Sequence, residues 1–327
     1  MAGMNTGNMG DLTRAELWSS SLKETLKDEL MATKYVDWAL EGEFPDGTQF
    51  TIPSVGDAQV DDYVEDTEVK VRPLDTGEFT FNITQYKSSG LSITEKARMD
   101  SYYSDRLMAS FLPKEERALM EAVETHVLSR PEAGITANSN ETINGKHHRY
   151  AAGGTAGVLD VADFAYANLA LTTANVSASN RIAIVDPSVG FTLETLTNLV
   201  NVSNNPMWEG IVSSGITTGM KFVKNVYGFD VYCSNYLTDV TDSALPQRDG
   251  STTVDFSSTN GKANLFFSAG NSNDERPLVG AFRQMPKVDV VYEPLKQRTS
   301  FITTAYYEAK LYRPENMVVI PSMTNVS

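Results

Sequence analysis

The sequence predicts an α+β fold, and three stretches support that prediction. Residues 78–84 alternate apolar and polar side chains, which is the period of a half-buried strand, and residues 48–52 and 91–94 repeat the pattern. From residue 96 the apolar side chains recur with the helical period instead. Residues 276–327 are again rich in strand patterns. Within residues 160–200 a predicted helix, strand and helix follow one another, an order that indicates a sheet covered by helices.

The first strands predict an extended β-hairpin whose outer face is polar. Residues 41–78 contain eleven Asp or Glu against Lys70 and Arg72, a net charge of −9. A two-stranded ribbon is marginally stable alone in water, and this one also repels itself. We therefore expect it to be an arm that lies on another subunit. The alternative is a solvated loop on a globular β-domain.

The N-terminal stretch predicts one narrow amphipathic helix within residues 11–40. Thr13 and Glu16 have the spacing of a capping box. The apolar residues that follow at four-residue steps are Trp18, Leu22, Leu26 and Leu30. A stripe this thin is typical of a helix that docks onto a neighbouring surface, because it buries too little to form a core.

The helical pattern after residue 96 predicts a long helix with one apolar face. Its members are Leu107, Met108, Phe111, Leu112, Leu119, Ala122, Val123 and Val127. Pro113 predicts a kink or a new helix start, and Arg130 followed by Pro131 predicts the end near residue 129. Residues 132–157 are rich in Asn, Gly, Ser and Thr and predict a loop with a turn at Asn144-Gly145.

After residue 157 the sequence predicts helices and strands in alternation, followed by a series of strands. Residues 160–176 predict a helix with Val161, Phe164, Ala165, Leu169 and Thr172 on one side. A buried strand over 181–185 ends at Asp186-Pro187, and a helix follows over 191–200. Further strands are predicted over 229–233, 265–268, 278–282, 288–292, 299–312 and 317–320.

Composition restricts the function classes. The chain has 327 residues, 41% of them apolar, and a net charge of −15, which disfavours a protein that binds nucleic acid through clustered cations. It contains neither a secretory signal nor 18 consecutive apolar residues, so we expect a soluble, cytosolic protein without a membrane span. Residues 276–313 carry seven basic and three acidic residues, a net of +4 that could pair with the acidic stretch within or between copies.

Catalytic motifs are not predicted. His147-His148 lies in the polar loop and is expected to be a solvated pair, His126 a structural residue, and the lone Cys233 a strand residue. The acidic run 61–68 lacks the spacing of an EF-hand, so a loosely held divalent ion stays open without being favoured. A carboxylate pair for glycoside hydrolysis also stays open, because the fold sets its spacing. No cofactor is predicted.

The order of these parts resembles the major capsid proteins of tailed bacteriophages. Local stretches that resemble the family are residues 47–62, 181–187, 228–235 and 307–313, the last followed by Pro314-Glu315. In the family's terms, residues 1–40 resemble the N-terminal arm, 41–96 the E-loop hairpin, 97–200 the P-domain with its spine helix, 201–275 the A-domain, and 276–327 the closing P-domain strands.

The resemblance implies a structural protein of the icosahedral virion that assembles in the host cytoplasm. Hexamers and pentamers of this chain would enclose double-stranded DNA without sequence-specific binding. Because the sequence shows no long acidic helical leader, the resemblance implies either a separate scaffolding protein or assembly without one. A portal is also expected, and a decoration protein stays open. The alternatives are a nanocompartment shell of the same fold and a glycan-active enzyme. Candidate contacts between subunits are Trp18, Leu22, Asp61, Asp62, Glu65, Asp66, Lys287 and Arg298.

Overall fold

The computed structural model describes most of the chain between residues 32 and 324. The described residues are 32–39, 49–55, 62, 65–66, 68, 76–100, 104–137, 141–195, 222–250, 252–258, 261–272 and 275–324. The predicted N-terminal helix, with Trp18 and Leu22, lies outside them, as does Asp61.

Within these residues the α-helices are α1 (Glu95–Asp100), α2 (Ser104–Ala137), α3 (Val161–Thr173) and α4 (Pro187–Thr195). The strands are β1 (Val36–Ala39), β2 (Gln49–Val55), β3 (Thr76–Asn82), β4 (Gln85–Thr94), β5 (Thr142–Ile143), β6 (Lys146–His147), β7 (Arg181–Val185), β8 (Phe222–Val226), β9 (Phe229–Cys233), β10 (Asp239–Val240), β11 (Leu245–Pro246), β12 (Thr253–Val254), β13 (Gly261–Ser268), β14 (Leu278–Glu293), β15 (Arg298–Leu311) and β16 (Met317–Met323).

Two larger sheets form the body of the protein. In the described part, one has the strand order β1-β14-β15-β4. The other has the order β10-β13-β7-β9-β8, with β16 also paired to β13. The pairs β2–β3, β5–β6 and β11–β12 are separate two-stranded ribbons. The predicted strands and helices therefore combine into an α+β architecture.

The long helix α2 connects the two larger sheets. Its buried residues Leu119, Val123, Val127 and Ile135 belong to one apolar cluster with residues of β7, β13 and β15. A second cluster lies on the opposite side of the β7–β9–β13 sheet, where α3 and α4 pack through Phe164, Leu171, Val189 and Leu193. The core therefore has helices on both faces of that sheet, in accordance with the predicted covering.

The sequence prediction for the end of α2 is wrong, because the helix passes Pro131 and ends at Ala137 instead of near residue 129. The helix is also continuous across Pro113, so of the two outcomes predicted there, a kink or a new start, the new start does not occur. A proline inside a helix costs one hydrogen bond and a steric clash, about 3 kcal/mol. Here the extension buries Ile135 completely and brings Gly134 against Leu311, so tertiary packing outweighs the local penalty.

The predicted loop at 132–157 is correspondingly shorter than expected. Its first residues belong to α2, and residues 142–147 form the β5–β6 hairpin. The predicted turn is confirmed, since Asn144 and Gly145 both have positive φ, 50° and 74°, as a two-residue hairpin turn requires. His148 is fully buried and not part of a solvated pair, because residues 148–152 run along β16 and Val319 N donates to the His148 carbonyl.

Three further details differ from the predictions. Helix α3 buries the small residues Ala167 and Ala170, which allow a close approach to the sheet, whereas Leu169 is 47% exposed. The predicted helix at 191–200 instead starts at Pro187, whose fixed φ suits a first helical position. The two strands predicted over 278–292 are one long strand with irregular register between Phe282 and Lys287.

Candidate functional site

The β2–β3 ribbon, with the residues between its strands, is called the acidic hairpin below (residues 49–82). Its strands are antiparallel, in register from Gln49 with Asn82 to Val55 with Thr76. Within the described residues, neither strand pairs with any other strand, so both outer edges are open. Gln49, Thr51 and Glu78 are exposed. A ribbon of this kind has unpaired backbone groups along both sides.

Within the described residues, the contacts of the acidic hairpin with the body lie near its base, in β3 and the residues that follow it. Ile83 is buried in a small cluster with Val279 and Ala281. Tyr306 Oη donates to the Ile83 carbonyl at 2.7 Å, and Lys310 Nζ donates to the Thr80 carbonyl at 3.1 Å. These contacts all come from β14 and β15.

Aromatic contacts add to this anchor. The rings of Phe79 and Tyr312 meet edge to face, with centroids 5.0 Å apart. Lys310 Nζ also lies 4.9 Å from the centroid of the Phe79 ring. Such contacts are worth about 0.5–1.5 kcal/mol each. Lys310 of β15 and Tyr312, which directly follows that strand, thus hold β3 at Phe79.

A polar contact lies where the acidic hairpin meets the body, and it is buried at Glu308 and His126 but exposed at Thr84. Glu308 Oε2 accepts from Thr84 Oγ1 at 2.5 Å, and Glu308 Oε1 lies 2.6 Å from His126 Nε2. Arg130 Nη2 is 3.1 Å from His126 Nδ1. Since a guanidinium only donates, Nδ1 must accept, and the ring proton is therefore on Nε2 and is donated to Glu308. These hydrogen bonds outweigh burial and lower the pKa of Glu308.

An open groove of about 490 Å³ lies beside this contact, between α2 and Lys87 of β4, with Tyr236 also in its wall. His126 lines it, but both ring nitrogens are engaged by Glu308 and Arg130. Ser129, also in the wall, donates its hydroxyl to the His126 carbonyl. The imidazole therefore has no free lone pair with which to act as a general base on a molecule in the groove.

The first described residues are attached to the body on the other side of α2. Ala32 N donates to both carboxyl oxygens of Glu124, at 3.2 and 3.4 Å. Burial raises the pKa of Glu124 to about 7. Strand β1 then pairs in parallel with β14, and the Trp38 ring packs on Phe282 with centroids 4.3 Å apart. A Cβ at Gly280 would lie 2.5 Å from the Trp38 ring, so only glycine fits there.

The turn between β14 and β15 exposes apolar side chains. Leu295 is 100% exposed, Tyr292 52% and Val291 44%. Val291 and Tyr292 are consecutive on one strand, so both faces of this end of the hairpin are uncovered in the described part of the chain. We call residues 291–295 the exposed turn. Apolar side chains grouped in this way are typical of a contact surface.

The predicted contact residues fall into three groups. Asp62, Glu65 and Asp66 are exposed, as their acidic stretch predicts. Lys287 and Arg298 lie near the exposed turn but have partners in their own chain. Lys287 Nζ is 2.8 Å from Asp289, and Arg298 holds both oxygens of Glu293, at 2.8 and 3.1 Å. Trp18, Leu22 and Asp61 lie outside the described residues.

Sequence reasoning missed the residues that fix the acidic hairpin. Thr84 and Glu308 are 224 positions apart, and no local pattern joins them. In the described part of the chain, three or more His, Cys, Asp or Glu side chains never gather into a metal site. The helices described there are also too short or too polar to cross a bilayer.

Comparison with known proteins identifies the fold. A protein of Mycobacterium phage Che8 is 16% identical, with a TM-score of 0.62 over 89% of this chain and 90% of the other. The capsid of cyanophage P-SCSP1u is 14% identical, with a TM-score of 0.61 over 90% and 88%. The mature capsid of bacteriophage PhiM1 is 12% identical, with a TM-score of 0.61 over 89% and 86%. Neither a family model nor a curated protein matches the sequence.

These likenesses establish that the chain has the α+β fold of phage capsid subunits, as the resemblance in the sequence predicts. The match extends over nearly the whole of each chain. The open ribbon, its anchor and the exposed turn are therefore parts of a capsid-type subunit fold.

Proposed function

We propose that this protein is the major capsid protein of a tailed bacteriophage. Copies of it would associate into hexamers and pentamers and close into an icosahedral shell around double-stranded DNA. The observation that supports this most strongly is the shared fold over about 90% of both chains with the P-SCSP1u and PhiM1 capsids. No catalytic step belongs to this proposal.

The uncovered surfaces suit such a role. In the part of the chain that the structure describes, the acidic hairpin has two open edges and contacts its own body near the base, and the exposed turn carries Leu295 fully in solvent. Each surface is small alone. When many copies repeat the same contacts in a closed array, the combined avidity is large although each contact is weak.

The charge of the chain suits a container for DNA. A net charge of −15 does not favour tight binding to phosphates, so packaged DNA would not adhere to the wall. Sequence-specific DNA binding is not part of the proposal. The proposed partners are other copies of the chain, a separate scaffolding protein, a portal and a decoration protein, and the proposed locations are the host cytoplasm during assembly and the virion afterwards.

The five segments set out from the sequence are proposed as the working parts of the subunit. These are the arm (1–40), the E-loop (41–96), the P-domain (97–200 and 276–327) and the A-domain (201–275). Trp18 and Leu22 would dock the arm, Asp61, Asp62, Glu65 and Asp66 the E-loop, and Lys287 and Arg298 the P-domain strands.

The test is assembly of the purified chain, alone and with the phage's other structural proteins, followed by electron microscopy. We expect uniform closed particles. Asp62→Lys with Glu65→Lys should lower their yield, because it reverses charge on the exposed part of the acidic hairpin. Asp249→Lys with Asp255→Lys is the matched control, since it changes the net charge equally at exposed sites outside the hairpin.

Two results would contradict the proposal. Persistent monomers in the presence of all phage partners would refute a shell protein. Closed particles that contain only protein cargo, when produced during phage infection, would indicate a nanocompartment instead. Equal yields from the hairpin variant and its control would remove the acidic hairpin from the contacts while leaving the shell intact.

A further inference from the structure

We propose that Glu308 fixes the direction of the acidic hairpin relative to α2, by joining Thr84 at the hairpin's base to His126 of the helix. These three residues are called the root contact. The inference rests on the proposed function for its biological use, because a subunit arm that must reach a neighbour needs a defined direction. Its physical basis is the geometry of one chain.

Thr84 lies at the position where the angle between the acidic hairpin and the body is set. Strand β3 pairs with β2 as far as Asn82, and β4 pairs with β15 from Gln85 onwards. Ile83 and Thr84 are thus a two-residue joint between two separate sheets. Strand pairing sets direction on either side of the joint, but regular pairing does not continue across it. Side-chain contacts at the joint must therefore set the angle.

Glu308 is suited to hold this angle because it is a buried charge. Its Oε1 also accepts from Ala309 N at 3.3 Å and lies 3.9 Å from Arg130 Nε, whereas Oε2 accepts from Thr84. The residue is 6% exposed, and a buried carboxylate is stable only when donors satisfy it. Its two side-chain donors, Thr84 and His126, come from different parts of the molecule, each on a separate oxygen. A change in the angle of the joint would remove the Thr84 donor and leave one oxygen without it.

The helix end of the root contact is equally constrained. His126 is 9% exposed, its Nδ1 accepts from Arg130 and its ring packs edge to face on Tyr307 at 5.5 Å. The imidazole cannot rotate without breaking one of these contacts. The position of α2 is therefore transmitted through Glu308 to Thr84. A displacement of α2 would therefore change the direction of the acidic hairpin. By the same coupling, a force on the hairpin would displace α2.

Thr84→Val tests this, since it keeps the shape of the side chain and removes the donor. Spin labels at Glu78→Cys and Thr136→Cys, in a Cys233→Ala background, would report the distance between hairpin and helix in the unassembled full chain. We expect a narrow distance distribution in the parent and a broad one in Thr84→Val and Glu308→Gln. Thr84→Ser, which retains the hydroxyl, should restore the narrow distribution.

Amide exchange gives a second measurement. In Thr84→Val we expect exchange in β3 to accelerate about tenfold, the scale set by one hydrogen bond to a charged group. Tyr306→Phe is the matched control, because it removes the neighbouring bond to Ile83 and leaves the root contact intact. In the spin-label experiment, a distance distribution as broad in Tyr306→Phe as in Thr84→Val would overturn the proposal. An unchanged spin-label distance in Thr84→Val would overturn it as well.

Failure of this proposal can be told from failure of the proposed function. The distances and exchange rates are measured on the unassembled chain and do not require particles. A wild-type chain that never forms shells would refute the capsid role while leaving the root contact supported. If the wild-type chain forms shells and the spin-label distances in Thr84→Val are unchanged, the capsid role is supported and the root contact is refuted.

Discussion

Glu124 should make the folded protein less stable as the pH rises, and Glu124→Gln should remove that dependence. The carboxyl is 5% exposed, and burial raises its pKa from 4.5 to about 7. Below pH 4.5 the carboxyl is protonated in both the folded and the unfolded chain and does not lower the free energy of unfolding. Between pH 4.5 and 7 the unfolded chain releases the proton and the folded chain keeps it, so stability falls; above 7 the cost is constant.

The magnitude follows from the two pKa values. One pH unit corresponds to about 1.36 kcal/mol, so the cost is roughly 1 kcal/mol at pH 5 and roughly 3 kcal/mol at pH 8. The free energy of unfolding of Glu124→Gln, relative to the parent, should therefore rise by about 2 to 3 kcal/mol between these pH values. The side-chain amide in Glu124→Gln can still accept the hydrogen bond from Ala32 N. Burying its N–H groups changes the free energy of unfolding equally at both pH values, so this contribution cancels when the two are compared.

The assay is denaturant unfolding of the full chain at pH 5 and pH 8, below the concentration at which particles form. Other titrating groups are shared by the two proteins and cancel. Glu121→Gln is the control, because Glu121 lies on the same helix but is exposed and paired with Arg117. Parallel pH curves for the parent and Glu124→Gln would refute the reasoning, and a pH effect in the control would show that burial is not the cause.

Two further substitutions test the packing of α2. Arg149→Met should destabilise the chain by about 3–5 kcal/mol in denaturant unfolding, because it leaves the Glu132 carboxylate, whose side chain is 13% exposed, without the guanidinium that donates to it at 2.6 and 2.9 Å. Arg117→Met, at an exposed position, should leave the midpoint close to that of the parent. Gly134→Ala should lower the thermal midpoint despite the better helix propensity of alanine, since its Cβ would lie 2.7 Å from Leu311 Cβ, which cannot move aside freely. A higher midpoint would show that the two elements separate easily.

The sequence predicts those elements whose patterns are local. The alternation around Phe79 and the uninterrupted apolar run of β7 each occupy a few consecutive residues, and both strands are observed. The Asn144-Gly145 turn was likewise predictable, because few other residues tolerate positive φ at both positions. The order of these elements was sufficient to indicate the fold.

Tertiary packing decided the features that were missed. Pro131 is a strong local signal for a helix end, but Ile135 and Gly134 lie beyond it in contacts that only the assembled sheets provide. The buried face of α3 was misjudged because alanines contribute little to an apolar pattern, although they permit close packing. The polar neighbours of His148 in the sequence predict that it is exposed, whereas packing along β16 buries it.

The root contact shows what kind of sequence signal remains when the partner is distant. Glu308 is the one acidic residue in β15, where tyrosines and alanines surround it, and His126 interrupts the apolar face of α2 beside Val127. A charge or an imidazole inside an apolar pattern must find a hydrogen-bonding partner once the element is buried. The sequence therefore indicates that both residues need partners. It cannot indicate that the two residues are partners of each other, because they lie 182 positions apart in the sequence and meet only through the pairing of β15 and its packing on α2.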